Sequence, residues 1–126
     1  MKEIMAIVRM NMINQTRKAL TEIGVSSMTA TDALGRGAGL VDMTLLKGAE
    51  QGYEEAISQL GQSNRLIPKR VIVIVSKDRH VDNIVKTIIK VNQTGKPGDG
   101  KIFVLPVADS ISVRTAEDGD STLDDL

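Results

Sequence analysis

The chain has 126 residues, enough for one domain with a buried core. Its 16 basic side chains balance 16 acidic ones, so no global field draws it onto nucleic acid or an anionic membrane, and any anion site must be local. Without cysteine, and with His80 its only imidazole, it can build no disulfide, thiolate nucleophile, Ser-His-Asp triad or multi-histidine metal centre.

Met1 to Met12 is apolar but interrupted by Lys2, Glu3 and Arg9, unlike a signal-peptide core. No uninterrupted apolar run approaches the roughly 18 residues of a membrane span, so no membrane insertion and a cytoplasmic location are expected. Glu3 to Arg9 is rich in β-compatible residues and predicts a strand. Ile13, Ala19, Leu20 and Ile23 then recur at near-helical spacing, with Gly24 placed to end the helix. Met28 to Leu34 alternates like a half-exposed strand. The β-branched run Val71 to Val75 predicts a central one. After Asp78, a candidate N-cap, Val81, Ile84, Val85 and Ile88 fall on one face of a helix running to about Val91. Lys101 to Val107 closes the pattern as a strand, with Pro106 marking an edge or an end. The order βαββαβ predicts an α+β, ferredoxin-like domain with both helices on one face of an antiparallel sheet.

Two segments fall outside that core. Gly35 to about Leu66 is too long for a hairpin connection, and such loops are usually functional or disordered. Within it Ala49, Tyr53, Ile57 and Leu60 keep an amphipathic rhythm before Gly61. The acidic residues from about 117 to 126 are expected to be a mobile tail.

The chemistry-bearing signal is Thr94-Gly95-Lys96-Pro97-Gly98-Asp99-Gly100-Lys101, between the second helix and the last strand. Its glycines let backbone amides approach a phosphate, and Lys101 supplies a point charge. Gly95 to Lys101 satisfies GxxxxGK, yet Ile102 stands where a P-loop needs Ser or Thr, and the order is helix, loop, strand rather than strand, loop, helix. It is not a Walker A motif, and a plain helix-to-strand turn is the alternative to phosphate binding. A second cluster, Gly35-Arg36-Gly37-Ala38-Gly39, opens the long loop and can offer amides or serve as a hinge. Arg114, in Val113-Arg114-Thr115, is either a phosphate ligand or an ordinary surface residue.

The opening MKEIMAIVR, the stretch MTATDALGRG, the loop TGKPGDGKIFVLPV and the ending VRTAED together resemble the PII nitrogen-regulatory family: its first strand, the approach to its T-loop (35–66), its B-loop (94–101) and its C-loop (112–117). TGKxGDGKIFV is highly specific. The resemblance implies a trimer with ATP or ADP in each intersubunit cleft, and 2-oxoglutarate with Mg²⁺ beside ATP at the T-loop base. Carried over by position, Thr29, Gly37, Gly98, Asp99, Gly100, Lys101 and Arg114 match nucleotide-contacting residues, while Gly37, Ala38, Gly39 and Lys69 match the 2-oxoglutarate site. No catalytic residue and no protein metal ligand is implied.

The departures have consequences. Ser112 replaces a second phosphate-binding Arg, and Val73 a Glu near the adenine or ribose. Gly39 replaces a Gln that helps hold Mg²⁺ and 2-oxoglutarate, and Gln51 a Tyr that many members have modified by a nucleotidyl group. The lengthened loop, through Tyr53 to Arg70, looks like the archaeal and anaerobic-bacterial branch associated with nitrogenase genes. That branch implies a homotrimer or a hetero-oligomer with a related subunit, and dinitrogenase as target. Two rivals share the fold order. A small phosphate-handling enzyme such as an acyl phosphatase would need a paired base and nucleophile, which this chain does not supply. An RNA-binding sheet would need two or three stacking aromatics, and only Tyr53 and Phe103 are present.

Overall fold

The computed structural model describes residues 1–37 and 65–126. Strand β1 (Lys2–Arg9) leads through a 3-10 turn at Met10–Met12 into helix α1 (Ile13–Glu22). Strands β2 (Thr29–Gly35) and β3 (Ile67–Ser76) follow, then a second 3-10 turn at Asp78–His80, helix α2 (Val81–Asn92) and strand β4 (Lys101–Pro106). The strands form one antiparallel sheet in the order β2-β3-β1-β4. This is the ferredoxin-like α+β arrangement that the βαββαβ pattern predicts.

Alternation along the central strands divides the sheet into two faces. Ile4, Ala6 and Val8 of β1 and Ile72 and Ile74 of β3 point to one, where they are closed over by Leu20 of α1, Ile84 and Ile88 of α2, and Val25. Burying each of the larger of these side chains contributes roughly 1.5–3 kcal/mol. One polar pair lies inside: the Thr16 hydroxyl donates to the Met12 carbonyl (2.7 Å) and accepts from Asn92 Nδ2 (3.0 Å), tying α1 to α2. On the opposite face, register aligns Thr29, Val73, Met5 and Phe103 in one row and Thr31, Val71, Ile7 and Lys101 in the next. Phe103 and Leu105 remain 45% and 38% exposed there.

Gly24 ends α1 as expected, at φ +103 with its amide on the Thr21 carbonyl. Pro106 is the last residue of β4, an edge strand. Two boundaries differ from expectation. β3 begins at Ile67, because Pro68 to Arg70 pair with β2 and with the end of β1 despite their loop-like composition. Asp78 does not cap α2; it opens the 3-10 turn and accepts the Met1 amine at 3.0 Å, and His80 stands at the N-cap without a side-chain capping bond.

The acidic terminal segment is docked rather than a mobile tail. Asp124 accepts from the amides of Ser26 (2.8 Å) and Ser27 (3.0 Å) and from the Ser26 hydroxyl. Asp125 meets Arg79 at 2.5 Å, His80 at 3.0 Å and Lys77 at 3.6 Å. Leu126 packs against the core beside Gly24. Acidic composition suggests a solvated tail when considered alone; Lys77, Arg79, the His80 ring and the two amides beyond the end of α1 hold it down.

Candidate ligand-binding site

The glycine-rich turn between α2 and β4 is built by Asp99. Its Oδ2 accepts the amides of Thr94 (2.7 Å) and Gly95 (2.9 Å), and its Oδ1 accepts the Thr94 hydroxyl (2.5 Å) and Arg9 Nη1 (2.6 Å). The Thr94 hydroxyl, then its amide, and further the Arg9 and Gly95 bonds hold this carboxyl far below the usual aspartate range, against the opposing effect of burial. Arg9 also donates to the Pro97 carbonyl at 3.1 Å, and Lys69 Nζ to the Gly98 carbonyl at 3.2 Å. The turn is thus tethered to the end of β1 and to the start of β3.

Gly100 is a steric necessity. At φ +115, a Cβ there would lie 1.9 Å from the Ile7 carbonyl oxygen, so only glycine lets the turn cross β1 this closely. A glycine turn followed by Lys101 sets backbone amides beside a cationic side chain in a chain of zero net charge, the features a local anion cradle needs.

Two clefts flank the turn. One, of about 330 Å³, is lined by Arg9, Gly37, Ile67, Lys69 and Gly98 and so carries two cationic side chains. Lys69 is 8% exposed, its stem packed and its ammonium at the cleft. The other, of about 450 Å³, is lined by Asp99, Gly100 and Lys101 together with apolar side chains of α2 and β1. The expected site residues are therefore split: Gly37, Lys69 and Gly98 come together in the first cleft, Asp99, Gly100 and Lys101 in the second. Thr29 lies on the outer sheet face opposite Val73 and lines neither. Ala38, Gly39 and the loop's apolar rhythm lie outside the described residues.

Arg114 also lines neither cleft. It stands at the tip of a small hairpin in which Gly119 N donates to Ser110 O (3.0 Å), Ser112 N to Glu117 O (2.8 Å), and Ile111 bridges Asp118. The neighbouring Val113 is fully exposed and Ile111 is 65% exposed, so the hairpin projects away from its own core.

Sequence reasoning missed Arg9, whose register partner is Lys69. A basic residue ending an apolar strand was the only signal, and only strand pairing reveals that it lies under the turn. The Asp99 carboxylate, beyond any contact with ligand, is engaged within the turn and by Arg9.

The chain matches the family model "Nitrogen regulatory protein P-II" over residues 1–117. It is 43% identical to the "Nitrogen fixation nifHD region GlnB-like protein 2" of Methanobacterium ivanovii, covering 98% of this chain and 99% of the relative. The protein of the same description in Methanococcus maripaludis is 41% identical, over 98% of this chain and 100% of the relative. A crystal structure of Arabidopsis thaliana PII bound to citrate superposes with a TM-score of 0.70 at 33% identity, covering 95% of this chain and 86% of that one.

Proposed function

The chain belongs to the nitrogen regulatory protein P-II family, and from that premise we propose that it is a nitrogen-status sensor rather than an enzyme, binding ATP or ADP at the glycine turn. The observation that carries this reading is the junction at Gly98: the anion cradle is hydrogen-bonded through Lys69 to the strand on which the long loop ends. A ligand seated there can bias the loop, and the loop then docks a partner.

Gly98, Asp99, Gly100 and Lys101 form the phosphate side of the site, Asp99 as the builder of the turn. Gly37 contributes from the neighbouring cleft, and Thr29 and Arg114 reach the nucleotide across the subunit boundary. The projecting hairpin and the uncovered apolar sheet face support a trimer, since both are surfaces a neighbouring subunit would cover. The cleft holding Arg9 and Lys69 suits a dicarboxylate such as 2-oxoglutarate, with the backbone of Gly37, Ala38 and Gly39 alongside. Mg²⁺ prefers oxygen ligands and keeps several of its waters. Among the described residues no group of three His, Cys, Asp or Glu could hold a metal, and Asp99 is already engaged. The metal therefore fits as a companion of the nucleotide phosphates, where it would neutralise charge.

The relatives' naming from nitrogen-fixation gene regions supports dinitrogenase as the target, with a homotrimer or a hetero-oligomer of related subunits as the active form. No described helix is long and apolar enough to cross a membrane, and a cytoplasmic site of action is part of the proposal. The acyl-phosphatase alternative is not favoured by the family assignment.

Calorimetry tests the reading: ATP and ADP titrated with and without 2-oxoglutarate and Mg²⁺, on the wild type, Lys101→Ala and Arg114→Ala. Each variant should weaken ATP, charge-assisted bonds being worth roughly 1.5–3 kcal/mol. Undiminished affinity in both would overturn the site assignment.

A further inference from the structure

We infer that the docked terminal segment is the positioning device for Arg114, so that Asp124 and Asp125 set nucleotide affinity without touching the nucleotide. The inference rests on the proposed role of Arg114 in nucleotide binding. Its physical basis is the isolation of the hairpin. A two-stranded hairpin without a packed face is marginally stable in water, and the one at 110–119 exposes Ile111 and Val113. Its geometry must be held from its ends.

At the entering end the hold is β4, with Val107 N donating to Met1 O at 3.2 Å. At the leaving end the hold is the tail. The Thr122 hydroxyl donates to the Gly119 carbonyl (2.8 Å) and accepts from the Ser110 hydroxyl (2.7 Å), and so closes the base of the hairpin. Two residues further on, Asp124 grips the amides of Ser26 and Ser27, and Asp125 grips Arg79 and His80. Leu126 adds an apolar contact beside Gly24. Ser26 and Ser27 lead directly into Thr29 at the start of β2, so one clamp holds the approaches to two elements proposed to meet the nucleotide. If the clamp opens, the hairpin loses one of its two fixed ends and Arg114 samples a wider range of positions. The cost then falls on ligand affinity rather than on the core.

The test uses the full-length chain, ATP as probe, and the variants Asp125→Asn and Asp124→Ala, each alone and combined with Arg114→Ala. Amide hydrogen exchange at Ser112, Ala116 and Gly119 is followed without ligand. Faster exchange at those amides is expected, with ATP affinity reduced about tenfold, the scale of one charge-assisted hydrogen bond. That loss should vanish in the Arg114→Ala background, as it must for residues acting through one another. Asp125→Glu, which keeps the charge, should recover part of the affinity. Unchanged exchange at the hairpin overturns the inference directly, whether or not ATP binds. Faster exchange with the same affinity loss in both backgrounds also overturns it, by showing a general structural effect. If Arg114→Ala itself leaves ATP affinity unchanged, the proposed nucleotide role of Arg114 fails, and the positioning claim with it; the exchange data still report whether the clamp holds the hairpin.

Discussion

Lys69, near the start of β3, donates to the carbonyl oxygen of Gly98, 3.2 Å away, so one hydrogen bond joins the strand that ends the long loop to the glycine turn. The Lys69 ammonium has two further N–H groups, so an anionic ligand that recruits it is tied through it to that carbonyl. Binding in the cleft and the conformation of the turn are then linked, because the ligand acts through its differential affinity for two arrangements.

The first prediction follows from that bond. Lys69→Met keeps most of the packed stem and removes the charge, so the fold should survive. With ATP and Mg²⁺ present, 2-oxoglutarate affinity should fall roughly ten- to a hundredfold, the range for a charge-assisted bond. Calorimetry reads this, and equal affinity in the variant would place 2-oxoglutarate elsewhere.

A second prediction separates two glycines of the same turn. Gly95 and Gly100 both have positive φ, but a Cβ on Gly95 meets nothing within 4 Å, whereas one on Gly100 would meet the Ile7 carbonyl at 1.9 Å. Gly95→Ala should therefore cost only about 1 kcal/mol in backbone strain. Gly100→Ala must also push β4 off β1, and should lower Tm by several degrees more, at the usual few degrees per kcal/mol. Thermal unfolding of the two variants decides, and equal shifts would contradict the close crossing.

The core was legible in the sequence because its elements carry their own periodicity: Ile4, Ala6 and Val8 alternate, and Ile84 and Ile88 recur on one face of α2. What escaped depends on pairing between distant residues. Ile67 to Arg70 have the composition of a loop, yet they are strand because Arg9 and Val8 pair with Lys69 and Arg70. Half of the site was visible in the glycine turn itself. The other half, Arg9 beneath Asp99, spans 90 residues of sequence and has no local signature. The docking of the tail has no local signature for a related reason: its acidity matches Lys77 and Arg79, with the His80 ring as a further hydrogen-bond partner, a complement apparent only once the fold brings them together.

Acid should release that tail, and the sign of the effect follows from the shift. His80 and then Arg79, by hydrogen bonding, lower the Asp125 pKa from its ordinary 3.8 to about 2, against the effect of burial. A carboxyl depressed in the folded state contributes stability that is complete above the ordinary value and disappears as pH falls through the lowered one. Asp124 shifts the same way: burial acts to raise its pKa, and the bonds from the Ser26 hydroxyl and the Ser27 and Ser26 amides outweigh it. The Tm difference between wild type and Asp125→Asn should therefore be constant above pH 4 and shrink toward pH 2. A difference that widens on acidification would reverse the assignment.

The last prediction concerns the sheet face that the helices leave open. Register places Phe103 beside Met5, with Val73 on the far side of Met5 and Leu105 two residues further along β4. With Phe103 45% exposed and Leu105 38% exposed in the isolated chain, an apolar surface of this kind normally marks an interface. In the proposed trimer this face packs against the other copies. The core would not feel a substitution here, because Ile4, Ala6, Ile72 and Ile74 point the opposite way. Phe103→Glu should therefore keep its far-UV circular dichroism while sedimenting as a monomer, since each copy would bring one carboxylate into an apolar contact and ions lose hydration there without a partner. ATP affinity should collapse in the same variant, because a cleft shared between subunits does not exist in a monomer, and Lys101→Ala on the same face should weaken ATP without dissociating the assembly. A Phe103→Glu protein that remains trimeric would remove this face from the interface and require the hairpin bearing Arg114 to meet its neighbour by another route.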